Sequence, residues 1–330
     1  MKPFTPPAKQ QGLTLIELMI SITLSLIIMA GIFQIFVSSK QSYRVQEALG
    51  RIQEDARFAL DLLTHDLRMA GNVGCNRFVE ITNLVAGLPD IGAGIEGYES
   101  NGGTMFTLFD TTDQLPRYAA GDALFIKSAG AVASDLTQPM ASSTAAIEVA
   151  PTSASLAFRD EDFVIISDCQ SAEIFQITGD PVTTPSGNIS LPHAALSKEY
   201  ATGAQVMPLN YVVYYIGTAE NDNVRNLYRS RIDRGGILPA EPLVEGVEDL
   251  QLLYGEVNGD NVRYDSADNV TMDQVKSVRI NLLLATLEDN LASEGQSYWY
   301  VDDNGDTALL GPANDRRLYR SMTATITLRN

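Results

Sequence analysis

The chain is poor in the residues that do chemistry. Two histidines, His65 and His193, and two cysteines, Cys75 and Cys169, occur among 330 residues. A zinc cluster, a disulfide-rich scaffold or a histidine-based catalytic centre therefore has too few groups to be built. No G-x-S-x-G, H-E-x-x-H or P-loop sequence is present. His65 stands beside Asp66 and close after Asp61, the setting of a surface ion pair, and His193 has no partner that the sequence identifies. Positive charge is also scarce: 23 Lys and Arg stand against 41 Asp and Glu, a net charge of −18. Such a surface repels a phosphate backbone, so no nucleic-acid partner is expected. The run Asp302-Asp303-Asn304-Gly305-Asp306 opens like a calcium loop, but Thr307 and Ala313 stand where that loop needs Gly and Glu. It reads as a solvated acidic turn. The lone tryptophan, Trp299, lies between Tyr298 and Tyr300, a trio suited to core or interface anchoring. No metal, no cofactor and no enzymatic activity are expected.

Proline is missing over one long interval, from Pro7 to Pro89. Before it, residues 1–12 are polar, carry Lys2 and Lys9, and hold three prolines that forbid a helix. Within it, Leu13 to Val37 is an apolar run of 25 residues with a single charge, Glu17. As a helix this run reaches about 37 Å, enough to cross a hydrocarbon core of about 30 Å. The basic leader should stay in the cytoplasm and send everything after Lys40 across the membrane. A secretory signal peptide has a shorter apolar run ending in small residues, unlike the sequence FVSSKQS here. A plain signal anchor fits the length but leaves Glu17 unexplained, because a carboxylate inside a membrane helix is costly and usually marks function.

Beyond the span, Leu49, Ile52, Ala56, Ala59, Leu63, Leu67 and Ala70 recur at steps of three and four, which predicts one amphipathic stripe. The helix is expected over 13–70, with Gly71 as its stop. From residue 71 to 330 the pattern changes to short β-like runs separated by turn residues. Runs at 104–110, 122–128, 162–168, 173–178, 210–217, 226–232, 247–257, 275–286 and 321–330 predict strands. Residues 82–103, 129–160, 179–204, 218–224, 258–274 and 287–316 are rich in turn formers and read as loops. The expected class is α+β: a long N-terminal helix packed on a β-rich, antiparallel head.

The sequence Gly12-Leu13-Thr14-Leu15-Ile16-Glu17 resembles the processing signal of type IV prepilins, with Leu13 where Phe is more usual. That resemblance implies cleavage after Gly12 by a prepilin peptidase, methylation of the new amine at Leu13, and Glu17 as a charge partner between subunits. It also implies residues 1–12 as a removed cytoplasmic leader and 13–37 as a membrane and filament-core anchor. Residues 57–75 at the helix exit, and 166–178, 214–217, 226–229, 243–255, 275–284 and 323–330 in the head, resemble the PilW family of minor pilins. The implied role is a subunit that helps prime type IV pilus assembly. Its implied partners are other minor pilins, the major pilin, the peptidase/N-methyltransferase and the inner-membrane assembly platform. It would be a single-pass inner-membrane protein with a periplasmic head, then part of the pilus. A minor pseudopilin of a type II secretion system shares these features, and a membrane-anchored periplasmic binding protein that never polymerises would share the anchor alone.

With that topology, Cys75 and Cys169 face an oxidising compartment. A disulfide between them would tie the helix exit to the β domain and contribute roughly 4–5 kcal/mol in the chain-entropy model. The alternative is two independent buried thiols.

Overall fold

A computed structural model describes residues 14–74, 80–99, 117–218, 224–233, 236–237, 240–259, 261–301 and 305–328. The segment 104–110, expected as a strand, lies outside these, as do Gly12, Leu13, Cys75 and residues 302–304. The chain divides into two compact units, Met1–Gly50 and Arg51–Asn330. Helix α1, Leu15–Met69, contributes to both. In the first unit its large apolar side chains from Leu15 to Val37 are all exposed. In the second its buried side chains are Ile52, Ala56, Ala59, Leu63 and Leu67, the stripe that the three-and-four spacing predicts.

The strands of the second unit follow in chain order. They begin with β1 Glu80–Asn83, β2 Ile95–Tyr98, β3 Arg117–Ala129, β4 Ser134–Asp135 and β5 Ile147–Val149. Next come β6 Phe163–Ser167, β7 Ser171–Gln176, β8 Val182–Thr183, β9 Ile189–Leu191 and β10 Gln205–Thr218. Then follow β11 Arg225–Asp233, β12 Gly236–Ile237, β13 Glu241–Glu245, β14 Val247–Asn258 and β15 Asn261–Asp265. The last are β16 Val275–Ala285, β17 Tyr298–Val301, β18 Thr307–Leu310 and β19 Tyr319–Thr327. The long apolar runs form strands where the sequence places them. The turn-rich segments differ from expectation, because they also contain short strands such as β5, β9, β15 and β17.

Ten strands form one sheet, ordered β1-β7-β6-β10-β11-β12 along its path and joined through β10, which also pairs β3 and β4. A second sheet runs β15-β14-β16-β19. Of the pairings among the described residues, β1 with β7 is parallel; β10 with its neighbours β3 and β11 is antiparallel.

Strands β3 and β10 are buried on both faces, and their alternation sorts side chains into two cores. Leu124, Ile126, Val212, Tyr214 and Ile216 join the helix stripe and the inner residues of β14 and β16 in the first core. Phe125, Tyr211, Val213 and Tyr215 turn the other way into a second core with Ile165 and Ile174. Ala56 and Ala59, both fully buried, keep the helix face small where it meets the sheet. The Tyr214 hydroxyl donates to Asp66 Oδ2 at 2.6 Å and so fixes the helix to β10.

The helix stops where glycine allows it. Gly71 has φ 69°, the left-handed conformation that closes a helix and costs other residues strain. Its N–H donates to the carbonyl of Lys127, and Ala129 N–H donates to the carbonyl of Asn72. The exit is thus stitched to β3. Gly94 lies so close that a Cβ there would be 2.1 Å from the Gly71 nitrogen.

Candidate functional site

The first residue described, Thr14, caps the helix. Glu17 N–H donates to Thr14 Oγ1 at 3.3 Å. In return Glu17 Oε2 accepts from Thr14 N–H at 3.0 Å and from the Thr14 hydroxyl at 2.9 Å. This is a capping box, which satisfies N–H groups that a helix start leaves without partners. The negative carboxylate also suits the positive end of the helix dipole. The sequence signal was the spacing Thr-x-x-Glu at the head of an apolar run, and the reading of Glu17 as a charge partner alone missed it.

Below the cap, Ser21 Oγ donates to the carbonyl of Glu17, Thr23 Oγ1 to that of Met19 and Ser25 Oγ to that of Ser21. These hydroxyls satisfy themselves within the helix, so the segment presents no unpaired side-chain hydroxyl at these positions to an apolar medium. Its mean hydropathy over the most apolar stretch is 2.3, and by length and composition α1 can cross a membrane. Gly12 and Leu13 precede Thr14 directly, so the candidate cleavage site abuts the capped end.

A second candidate site is the turn that carries Cys169. Strands β6 and β7 form a hairpin, and Cys169 sits in its turn at φ 67°. Asp168 Oδ1 accepts from the N–H groups of Gln170 and Ser171, and Lys198 Nζ donates to Asp168 Oδ2 at 2.6 Å. Partial burial by itself raises the Asp168 carboxyl. The Lys198 ammonium and the two backbone donors outweigh it and hold the group below the usual carboxylate range. Next to it Glu173 is buried and accepts from Ser197 N–H and Oγ, each at 2.8 Å, and from the Tyr200 hydroxyl at 3.0 Å. The segment 197–200 is thereby clamped to the hairpin.

Cys169 is not a free cysteine. Cys75 lies outside the described residues, but the residue before it is placed. A Cβ on Gly74 would sit 3.5 Å from the Cβ and Oγ of Ser167. Gly74 therefore lies alongside the hairpin whose turn holds Cys169. The two histidines take structural positions. His65 Nδ1 is 3.0 Å from Asp66 Oδ1 at the surface, and His193 packs edge-on against Phe175.

Comparison with known proteins adds a match at each end. A family described as Type IV Pilus-assembly protein W matches residues 213–330, from the second half of β10 to the C-terminus. A family described as Prokaryotic N-terminal methylation motif matches residues 7–33, which include Gly12, Leu13, Thr14 and Glu17. No curated protein matches the chain. Residues 34–212 lie outside both matches, so the resemblance seen at 57–75 and 166–178 is not extended by them. One match thus covers the start of the apolar helix and the other the C-terminal part of the antiparallel β head, which makes the chain similar to type IV pilus-assembly proteins over that part.

Proposed function

We propose that this chain is a minor pilin that helps prime assembly of a type IV pilus. It works by membrane insertion and subunit contact, not by catalysis. A prepilin peptidase removes residues 1–12 and methylates the amine of Leu13. The apolar half of α1 then holds the subunit in the inner membrane, with the head in the periplasm, until the assembly platform moves it into the filament. There it meets other minor pilins and the major pilin.

The observation that carries this reading is the start of α1. An exposed apolar helix opens on a carboxylate at Glu17, in a segment matched by the methylation motif. Cleavage after Gly12 puts a positive amine one residue before Thr14. In a dry bundle of such helices an unpaired charge is costly, so the Glu17 carboxylate of one subunit is fitted to neutralise the amine of the next and set their register. The pilus-assembly description of the C-terminal match supports the pilus over a secretion filament. The test is the mass and N-terminal sequence of the protein extracted from membranes. We expect a chain that begins at methylated Leu13; a chain beginning at Met1 or near Ser39 overturns the reading.

A further inference from the structure

Strand β19, at the edge of the second sheet, pairs with β16 on one side. Among the described residues no strand pairs its other edge, and the hydrogen bonds show which groups face it. Tyr319 N–H donates to Gln296 Oε1 and the Tyr319 carbonyl accepts from Gln296 Nε2. The Tyr319 backbone therefore points away from β16, and by the alternation of an antiparallel ladder so do Ser321, Thr323, Thr325 and Thr327. The Gln296 side chain imitates a paired strand at one residue. Beyond it the edge from Ser321 to Thr327 is exposed at each of these alternate positions.

Edges of this length are normally blunted by proline, an inward charge, a bulge or a covering element. β19 has no proline and no charge from Ser321 to Thr327, and its nine-residue register with β16 runs without a shift. The charge around the edge is equally unusual for so acidic a chain. Residues 316–330 hold four arginines and no acid, and β16 beside them carries Lys276 and Arg279 and no acid. Of the nearby acids, Asp315 and Glu248 are engaged by Arg317 and Asp289 accepts from Arg316 N–H, while Arg316 and Arg320 are exposed.

We infer that the open edge of β19 binds an extended, acidic segment of a partner protein by strand addition. Backbone hydrogen bonds would supply affinity and the basic flank would select the partner's charge. A second copy fits poorly, because β19 against β19 would bring two copies of the basic flank together. The inference goes beyond the pilin reading, since it requires neither processing nor filament entry.

The test uses the full chain in detergent micelles and two labelled peptides as long as the strand, one of alternating Thr and Glu and one of alternating Thr and Lys. Fluorescence anisotropy should show the acidic peptide binding at least about tenfold more tightly, with the preference falling as salt rises. Thr325→Pro removes an N–H that faces outward, so it should keep the melting temperature within a few degrees and abolish binding. Arg320→Glu should weaken the acidic peptide and leave the fold unchanged. Equal binding of both peptides, or binding untouched by Thr325→Pro, overturns the inference. So does concentration-dependent dimerisation of the chain that Thr325→Pro removes, because it would make a second copy the occupant.

Discussion

At the scale of single residues, Asp168 shows how one carboxylate can organise a turn. Its two oxygens divide the work: one caps the backbone of Gln170 and Ser171, and the other meets Lys198. Because the folded carboxyl titrates below its unfolded value, the stabilisation is complete above the ordinary range near pH 4 and is lost as pH falls through the folded pKa. Lys198→Met should cost about 1 kcal/mol at pH 7, a value reduced for partial exposure. Its deficit against the parent should shrink in acid as Asp168 protonates in both proteins. Thermal melts of the two proteins at pH 7 and pH 3 check this; a deficit independent of pH would mean that Lys198 acts through its packing on Tyr200. None of this was legible in the sequence, where Asp168, Glu173 and Lys198 look like ordinary polar positions. Glu173 is the clearest case. It interrupts an apolar run, yet its strand is buried at that position because Ser197 and Tyr200 fold over it to supply donors.

At the scale of elements, legibility followed length. The helix and strands β3, β10, β14 and β16 are long enough for period and composition to show, and their runs fixed which side chains are inside. β9, Ile189–Leu191, is three residues between prolines 185 and 192; no period can be read from it, and its pairing is decided by β5 and β8. The site divides in the same way. The spacing from Gly12 to Glu17 was visible, whereas the role of Thr14 depended on recognising a cap. Packing of the helix on the sheet gives a direct test. Leu63 is fully buried in the first core, so Leu63→Ala should destabilise the head by about 3–5 kcal/mol. Gly94→Ala should be at least as damaging, since its Cβ has no room beside Gly71 and its φ of 81° is unfavourable to any side chain. Denaturant titration of both variants, with Phe58→Ala on the exposed helix face as the control, separates burial from helix propensity. A loss under 1 kcal/mol at Leu63 would contradict the packing described.

At the scale of the whole molecule, two covalent and electrostatic links remain to be tested. We expect Cys75 to be joined to Cys169, because Gly74 runs beside Ser167 and the chain after Lys40 is expected in an oxidising compartment. Peptide mapping without reduction should find the linked pair, and alkylation of both thiols in the unreduced protein would contradict it. Glu17 carries the sharper prediction, because the capping box gives it a duty inside its own helix as well as the proposed one between subunits. Glutamine can keep the first duty, since it accepts a hydrogen bond at the same position of a capping box, but it cannot neutralise a neighbour's amine. Glu17→Gln should therefore retain helix start, membrane insertion and a folded head, whose buried helix residues all lie between Ile52 and Leu67. Surface piliation should nevertheless fall as far as it does in Glu17→Ala, measured in strains that carry each variant at parental protein level. If the Gln variant piliates normally while the Ala variant does not, the carboxylate matters as a cap and the charge pair between subunits is wrong.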